Sequence, residues 1–299
     1  MLNIDDKDFD EFSNFLKRLN LVIKKNEREQ LTKKVLDKTD LFVIGNPIDN
    51  YFSSVEVKSV VDFVRNGGRL LLLSEYGSDF LQKTNLNDIS SKFGIFFEKN
   101  IVKEANSINQ NCTSLLHIQS FQDHNITKNI RELNIGGTCS LFLNSEAKPL
   151  LITPDNSYWS EIYNASSEQW IREEEKPLII SAFTQFGKGK VVAIGDIDIL
   201  TSNPRMGIKS LDNRKFLQNL INWLIEPVEE SKVTSFVLDQ IGELQYQIKE
   251  SNKILNNIIE TLTILEKRIT NIEENSEIYS QNLSYENSFE SKSLQEDKL

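Results

Sequence analysis

The sequence predicts an α/β protein with a mostly parallel sheet covered by helices, followed by one long α-helix. Three observations predict it. The runs "LFVIG" at 41–45 and "LLLL" at 70–73 are apolar without alternation, as in strands buried on both faces of a helix-covered parallel sheet. Between them Val57, Val60, Val61 and Val64 recur at helical spacing and form one stripe. Past Pro227 the apolar residues change to a heptad period and keep it.

Each element has its own local reason. A short strand is expected at Leu2 to Ile4, and then Phe9, Phe12, Phe15, Leu16 and Leu19 define a helix. Its acidic residues come early and Lys17 and Arg18 late, as the helix dipole favours. A short strand around Leu21 to Ile23 and a helix around Glu29 to Leu36 precede "LFVIG". Ser53 or Ser54 caps the next helix and Gly67-Gly68 ends it, so the order reads βαβαβαβ. Ligands of such sheets sit at the carboxyl ends of the strands, here Gly45-Asn46-Pro47 and Ser74-Glu75-Tyr76-Gly77. A capped helix at 85–93 and strands at 95–97 and 140–143 follow, while the rest of 98–175 gives no order. Residues 176–200 read as two strands flanking Gly187 and Gly189 in an antiparallel hairpin. Asp212 then caps a helix carrying Phe216, Leu217, Leu220, Ile221 and Leu224, which Pro227 stops.

The heptad segment is the most regular part of the chain. Val237, Ile241, Leu244, Ile248, Ser251, Leu255, Ile258, Leu262, Leu265, Ile269 and Ile272 alternate in steps of four and three, and Ser251 is the polar member. A lone helix would leave this stripe in water, so a second helix must cover it. Branched residues and leucine occur at both seam positions, so dimer and trimer stay open. From about Asn275 the chain is rich in Ser, Asn and Glu, which predicts disorder. The expected organisation is an α/β domain at 1–226, a linker at 227–233, a coiled-coil helix at 234–273 and an acidic tail at 274–299.

The net charge of −10 and the lack of Lys/Arg clusters oppose binding to nucleic acid or anionic lipid. Residues 230–299 hold 13 acidic and 7 basic side chains, a balance of −6, so most of the acidity lies in the extension. Two cysteines, Cys112 and Cys139, in a chain of this size predict a reducing cytoplasm. No apolar run approaches the ~20 residues of a membrane span, and the acidic start lacks the pattern of a secretion signal. The expected partners are proteins met through the coiled coil, as a homo-oligomer or a heteromeric complex, with no cofactor.

Several residues invite a chemical reading. Ser74-Glu75 stands where a nucleophile elbow would be, without the G-x-S-x-G flanks and with His117 and His124 as the available imidazoles. Capping or a turn is the plainer role for Ser74, and Glu75 suits either a ligand hydroxyl or a cap. Cys112 and His117 fall short of the four ligands of a closed zinc site, and Cys139 beside an apolar strand reads as a buried small hydrophobe. "GKGK" at 187–190 lacks the phosphate-loop pattern and opens onto a strand, so it reads as a hairpin turn. Asp196 and Asp198 follow "VVAIG" closely enough to hold a cation together, against the plainer role of capping the next turn. Tyr158, Trp159, Tyr163 and Trp170 suit stacking on a sugar or peptide, or filling the core of a subdomain.

Taken in order, "LFVIGNP" (41–47), Tyr51 with Ser53 and Glu56, "FVRNGGRLLLLSEYG" (63–77), "LNDISSKFGIFF" (86–97), "HNIT" (124–127), "FGKGKVVAIGD" (186–196) and "LDNRKFLQNLINWL" (211–224) resemble the GIFT-type domain. That domain is shared by the gliding-motility transporter component GldG and a core subunit of the intraflagellar transport B complex. It is related to the class I glutamine amidotransferase-like fold. The resemblance spans roughly 1–226, implies a Rossmann/flavodoxin-like sheet and leaves the coiled coil out. In the related fold a cysteine nucleophile would follow "LLLL", where Ser74 and Glu75 stand. No Cys-His-Glu set carries over, since both cysteines lie elsewhere and "AIGDIDIL" has no histidine. The resemblance implies a scaffold without catalytic machinery, used for binding, with Asn46, Ser74, Glu75, Tyr76 and Asp196 as crevice candidates. The competing readings are an amide or ester hydrolase using Ser74 or Glu75, and a sugar-binding module.

Overall fold

The computed structural model describes residues 2–27, 29–105, 114–144, 146–154, 157–173, 176–227, 241, 244, 245, 247–272, 275 and 276. The chain divides into two compact units, Met1–Val228 and Glu229–Leu299. Cys112, Val237, the segment 228–240 and the tail from 277 on lie outside the described residues.

In the first unit the strands are β1 (Leu41–Gly45), β2 (Arg69–Leu73), β3 (Ile95–Phe97), β4 (Asn100–Glu104), β5 (Leu115–Ile118), β6 (Leu133–Gly136), β7 (Leu141–Leu143), β8 (Lys148–Ile152), β9 (Tyr158–Asn164), β10 (Gln169–Arg172), β11 (Ile179–Phe186) and β12 (Gly189–Ile194). The helices are α1 (Asp10–Arg18), α2 (Lys33–Leu36), α3 (Ser54–Arg65), α4 (Ser78–Gln82), α5 (Leu86–Ser90) and α6 (Asn213–Ile225). The central sheet runs β1-β2-β12-β11-β7-β3, with β8 also on β11. The neighbours β1, β2 and β12 are parallel, and from β11 outward the pairings are antiparallel.

Side chains of β2 alternate between two cores, as a pleated strand requires. Leu70 and Leu72 pack with Val57, Val60 and Val64 of α3. Leu71 and Leu73 face the other way, with Phe12 and Phe15 of α1 and Phe216 and Leu220 of α6. Burial on both faces is why the leucine run shows no polar alternation.

Of the two serines expected to cap α3, Ser53 does so, and it forms a capping box. Ser53 Oγ accepts from the Glu56 N–H at 3.3 Å, and Glu56 Oε2 accepts from the Ser53 N–H at 2.9 Å. The other Glu56 oxygen accepts from the Leu31 N–H at 3.1 Å and ties the preceding segment to α3. "GKGK" is the β11–β12 turn, with Gly187 at φ 59°. Lys190 then reaches along the sheet to donate to the Trp223 and Glu226 carbonyls at 2.7 and 3.1 Å, closing the end of α6.

Some local expectations change. Residues 2–4 and 21–23 form no strand. Leu2 makes one backbone bond to Gly45, and the Leu21 N–H turns back to Leu16 through the left-handed Asn20. Leu2, Ile4, Leu21 and Ile23 instead rest partly buried on the α1 side of the core. The helix expected from Glu29 contracts to α2. Asp212 stands at the start of α6, yet its carboxylate accepts from the Arg131 N–H at 2.8 Å, a tertiary partner. The region 98–175 supplies β4 to β10, with β4, β9 and β10 forming a separate antiparallel sheet.

In the second unit residues 247–272 are continuously helical, ~39 Å at about 1.5 Å per residue. No helix among the described residues is long and apolar enough to cross a membrane.

Candidate functional site

The parallel register brings three strand ends together. The Asn46 N–H donates to the Leu73 carbonyl at 2.8 Å and the Ser74 N–H to the Ile194 carbonyl at 3.1 Å. Glu75 therefore stands between the chain leaving β1 at Asn46 and the chain leaving β12 at Asp196. A cavity of about 530 Å³ opens there, lined in part by Asp6, Asp8, Asn46, Glu75, Tyr76, Gln82, Gly137 and Asp198.

Ser74 does not line the cavity. It continues the alternation of Leu70 and Leu72 onto the α3 face, is 1% exposed, and its hydroxyl meets the buried Cys139 thiol. Burial pushes that thiol well above its usual range, with the Ser74 contact opposing the shift. Neither imidazole is set to serve the hydroxyl. His117 Nε2 lies 3.2 Å from Glu132. His124 packs on Phe183 and Trp223 at ring distances of 4.1 and 5.2 Å, and its Nδ1 accepts from the Ile126 N–H. Burial first, and then Lys190, holds its pKa down. Trp223 is also the ring beside Lys190, which opens β12, so His124 belongs to the opposite end of the strands from Ser74.

Asp196 is fully buried and caps the turn that follows it. Its oxygens accept from the Asp198 N–H at 2.6 Å and the Ile199 N–H at 3.1 Å. It lies behind the cavity wall, but its carboxylate is within 4.8 Å of those of Glu75 and Asp198. Burial and the neighbouring carboxylates together raise pKa values here. Glu75 is pushed up to about 10, by burial and then by Asp196 and Asp198. Asp196 rises through burial and Asp198, and Asp198 chiefly through burial.

Asn46 lines the same cavity at φ 40°, a left-handed conformation that asparagine tolerates better than most residues. Gln82 Nε2 donates to the Tyr76 carbonyl at 2.9 Å, which leaves Gln82 Oε1 to accept from Asn46 Nδ2 at 3.3 Å. That orientation fixes the amide and leaves Asn46 Oδ1 buried without a hydrogen-bond partner. Tyr76 forms the rim, 6.2 Å from the Trp170 ring, which meets Tyr163 at 5.4 Å. The aromatic set expected from the sequence thus divides. Tyr158 is core, its hydroxyl donating to the His117 carbonyl at 2.7 Å, and Trp159 lies under Arg172 at 4.4 Å. Asp6, Asp8, Gln82 and Gly137 carry no local signal that would place them at this site.

Close approach sets the glycines here. A Cβ on Gly195 would stand 2.0 Å from the Cys139 carbonyl oxygen and 2.5 Å from Thr138 Oγ1. Gly195→Ala is expected to destabilise the domain by about 1–3 kcal/mol, because backbone must move to admit the methyl group. A urea midpoint unchanged from the parent would refute this.

In the second unit Ile241, Leu244, Ile248, Leu255, Ile258, Leu262, Leu265, Ile269 and Ile272 are all exposed, from 45% at Ile241 to 67% at Ile272. Ile254 and Ile259, also exposed, adjoin the seam and widen it.

A crevice at the ends of parallel strands β1, β2 and β12, with Ser74 turned away from it, defines the site of an α/β fold built on a helix-covered sheet. Residues 3–107 match the IFT52 GIFT domain family. The N-terminal domain of mmIFT52 superposes with a TM-score of 0.60 at 16% identity, covering 76% of this chain and 93% of that one. A cytoplasmic protein from Salmonella typhimurium gives 0.48 at 12% identity, covering 71% and 85%. A thua-like protein from Bacteroides uniformis gives 0.45 at 14% identity, covering 75% and 85%. No curated protein matches the chain significantly.

Proposed function

We propose that the protein is a non-enzymatic scaffold of the intraflagellar-transport type. Its α/β domain recognises a partner or small ligand, and its C-terminal helix joins a coiled coil with a second copy or another subunit. The observation that carries the reading is the wet seam: an apolar row from Ile248 to Ile272 on a continuous helix has no reason to persist unless another helix covers it. The inward turn of Ser74, with His117 beside Glu132 and His124 packed on Phe183 and Trp223, supports the absence of hydrolysis. The similarity of 3–107 to the IFT52 GIFT domain supports a place in a protein complex. A reducing, cytoplasmic setting fits the single described cysteine, which is buried and unpaired.

Sedimentation of the full chain beside residues 1–229 tests it. The full chain is expected to sediment as an oligomer, or to capture a helical partner that 1–229 does not. Equal monomeric masses and no partner lost on truncation would overturn the reading. Labelling of Ser74 by a serine-reactive probe, abolished by Ser74→Ala, would restore the hydrolase.

A further inference from the structure

The strand-end cavity has a chemistry that scaffolding does not require. Glu75, Asp196 and Asp198 each offer an oxygen within 4.8 Å of the others. Ca²⁺ binds oxygens at about 2.3–2.6 Å, and three oxygens at the full separation would lie ~2.8 Å from a central ion, so closing by a few tenths of an ångström would seat it. Mg²⁺, at about 2.0–2.1 Å, would need the group to contract further. The donor set is all oxygen, which suits a hard cation and disfavours zinc or copper. Asp196 accepts from the Asp198 and Ile199 N–H groups and also from that of Gly136, which leaves about one of a carboxylate's roughly four lone-pair sites for an ion.

Asn46 is the independent observation. It is 3% exposed, it lines the same cavity, and the Gln82 network fixes its amide so that Oδ1 is the atom left without a partner. A buried amide oxygen in that position calls for a cation or a donor. Asp6 and Asp8 add negative charge to the wall, and no Lys, Arg or His lies among the described lining residues. We propose that the crevice binds a hard divalent cation of Ca²⁺ size through Glu75, Asp196 and Asp198, with Asn46 Oδ1 as a further donor. The competing cation is a primary ammonium, which would have to thread to the buried Asp196 carboxylate.

Calorimetric titration of the full chain, stripped with a chelator and held at about pH 7.5, distinguishes them. CaCl₂ is expected to give saturable one-site binding and a higher Tm, with MgCl₂ at least about tenfold weaker. Glu75→Gln and Asp198→Asn are each expected to weaken Ca²⁺ binding by at least about tenfold, and Asp37→Asn, at a site remote from the cavity, to leave it unchanged. Both cavity variants keep side-chain shape and relieve repulsion, so their metal-free Tm is not expected to fall, and this verifies that they are folded. The proposal is overturned by no saturable heat up to about 5 mM Ca²⁺, by methylammonium binding in its place, or by equal Ca²⁺ binding in the cavity variants.

Discussion

Leu262→Asp combined with Leu265→Asp is expected to abolish association through the C-terminal helix, weakening it by more than about a hundredfold while the α/β domain stays folded. Both leucines belong to the row that alternates in steps of four and three, and they are 55% and 47% exposed on the helix alone. Covering one such side chain is worth about 1.5–3 kcal/mol, and each is lost in every helix of the assembly. Aspartate at the same place also carries charge into a seam that excludes water. Sedimentation equilibrium should show the monomer mass, and near-ultraviolet circular dichroism of the α/β domain should match the parent. An unchanged oligomer mass would mean that the helix is not the contact.

The second large effect is a loss of stability with rising pH in the chelator-treated protein. Glu75 has a folded pKa of about 10 against an ordinary value of 4.5, caused by burial and then by Asp196 and Asp198. The raised folded pKa means that the folded state holds a proton the unfolded chain releases. The associated stability is full below about pH 4.5 and is lost progressively as pH rises toward 10. Asp196 and Asp198 shift in the same direction and add to the loss. Glu11, drawn down by its hydrogen bond to Lys209, acts oppositely and weakens the fold as pH falls through the acid range. The net expectation is greatest stability near pH 5 and a fall of up to about 5 kcal/mol by pH 9. Urea denaturation at several pH values measures it. Glu75→Gln should flatten the profile and make the variant the more stable protein at pH 9. A parent whose stability rises from pH 5 to 9 would contradict it.

The candidate site shows how far strand ends can be read in a sequence. Asn46, Glu75 and Tyr76 follow the apolar runs 41–45 and 70–73, and all three line the cavity. Ser74 stands in the same tetrapeptide and does not, because one step along a strand end reverses the face, and its face meets Cys139. Asp196 follows "VVAIG" as closely as a ligand residue would, but its two oxygens go first to the turn behind it. Asp6 and Asp8 read as the acidic start of a helix, and Gln82 carried no signal of its own. Their places at the cavity depend on how distant segments fold onto β1 and β2.

Local periodicity alone determined the buried leucine strand, the capped helix α3, the β11–β12 hairpin, the helix α6 and the heptad stripe. Each rests on contacts within a few residues, which the chain carries wherever it goes. Tertiary structure alone decided that β12 inserts between β2 and β11, that the region 98–175 builds a second antiparallel sheet, and that three carboxylates converge at a cavity an unpartnered amide also lines. These are pairings between residues far apart in sequence, chosen by which faces remain to be covered, and no short window of residues contains that information.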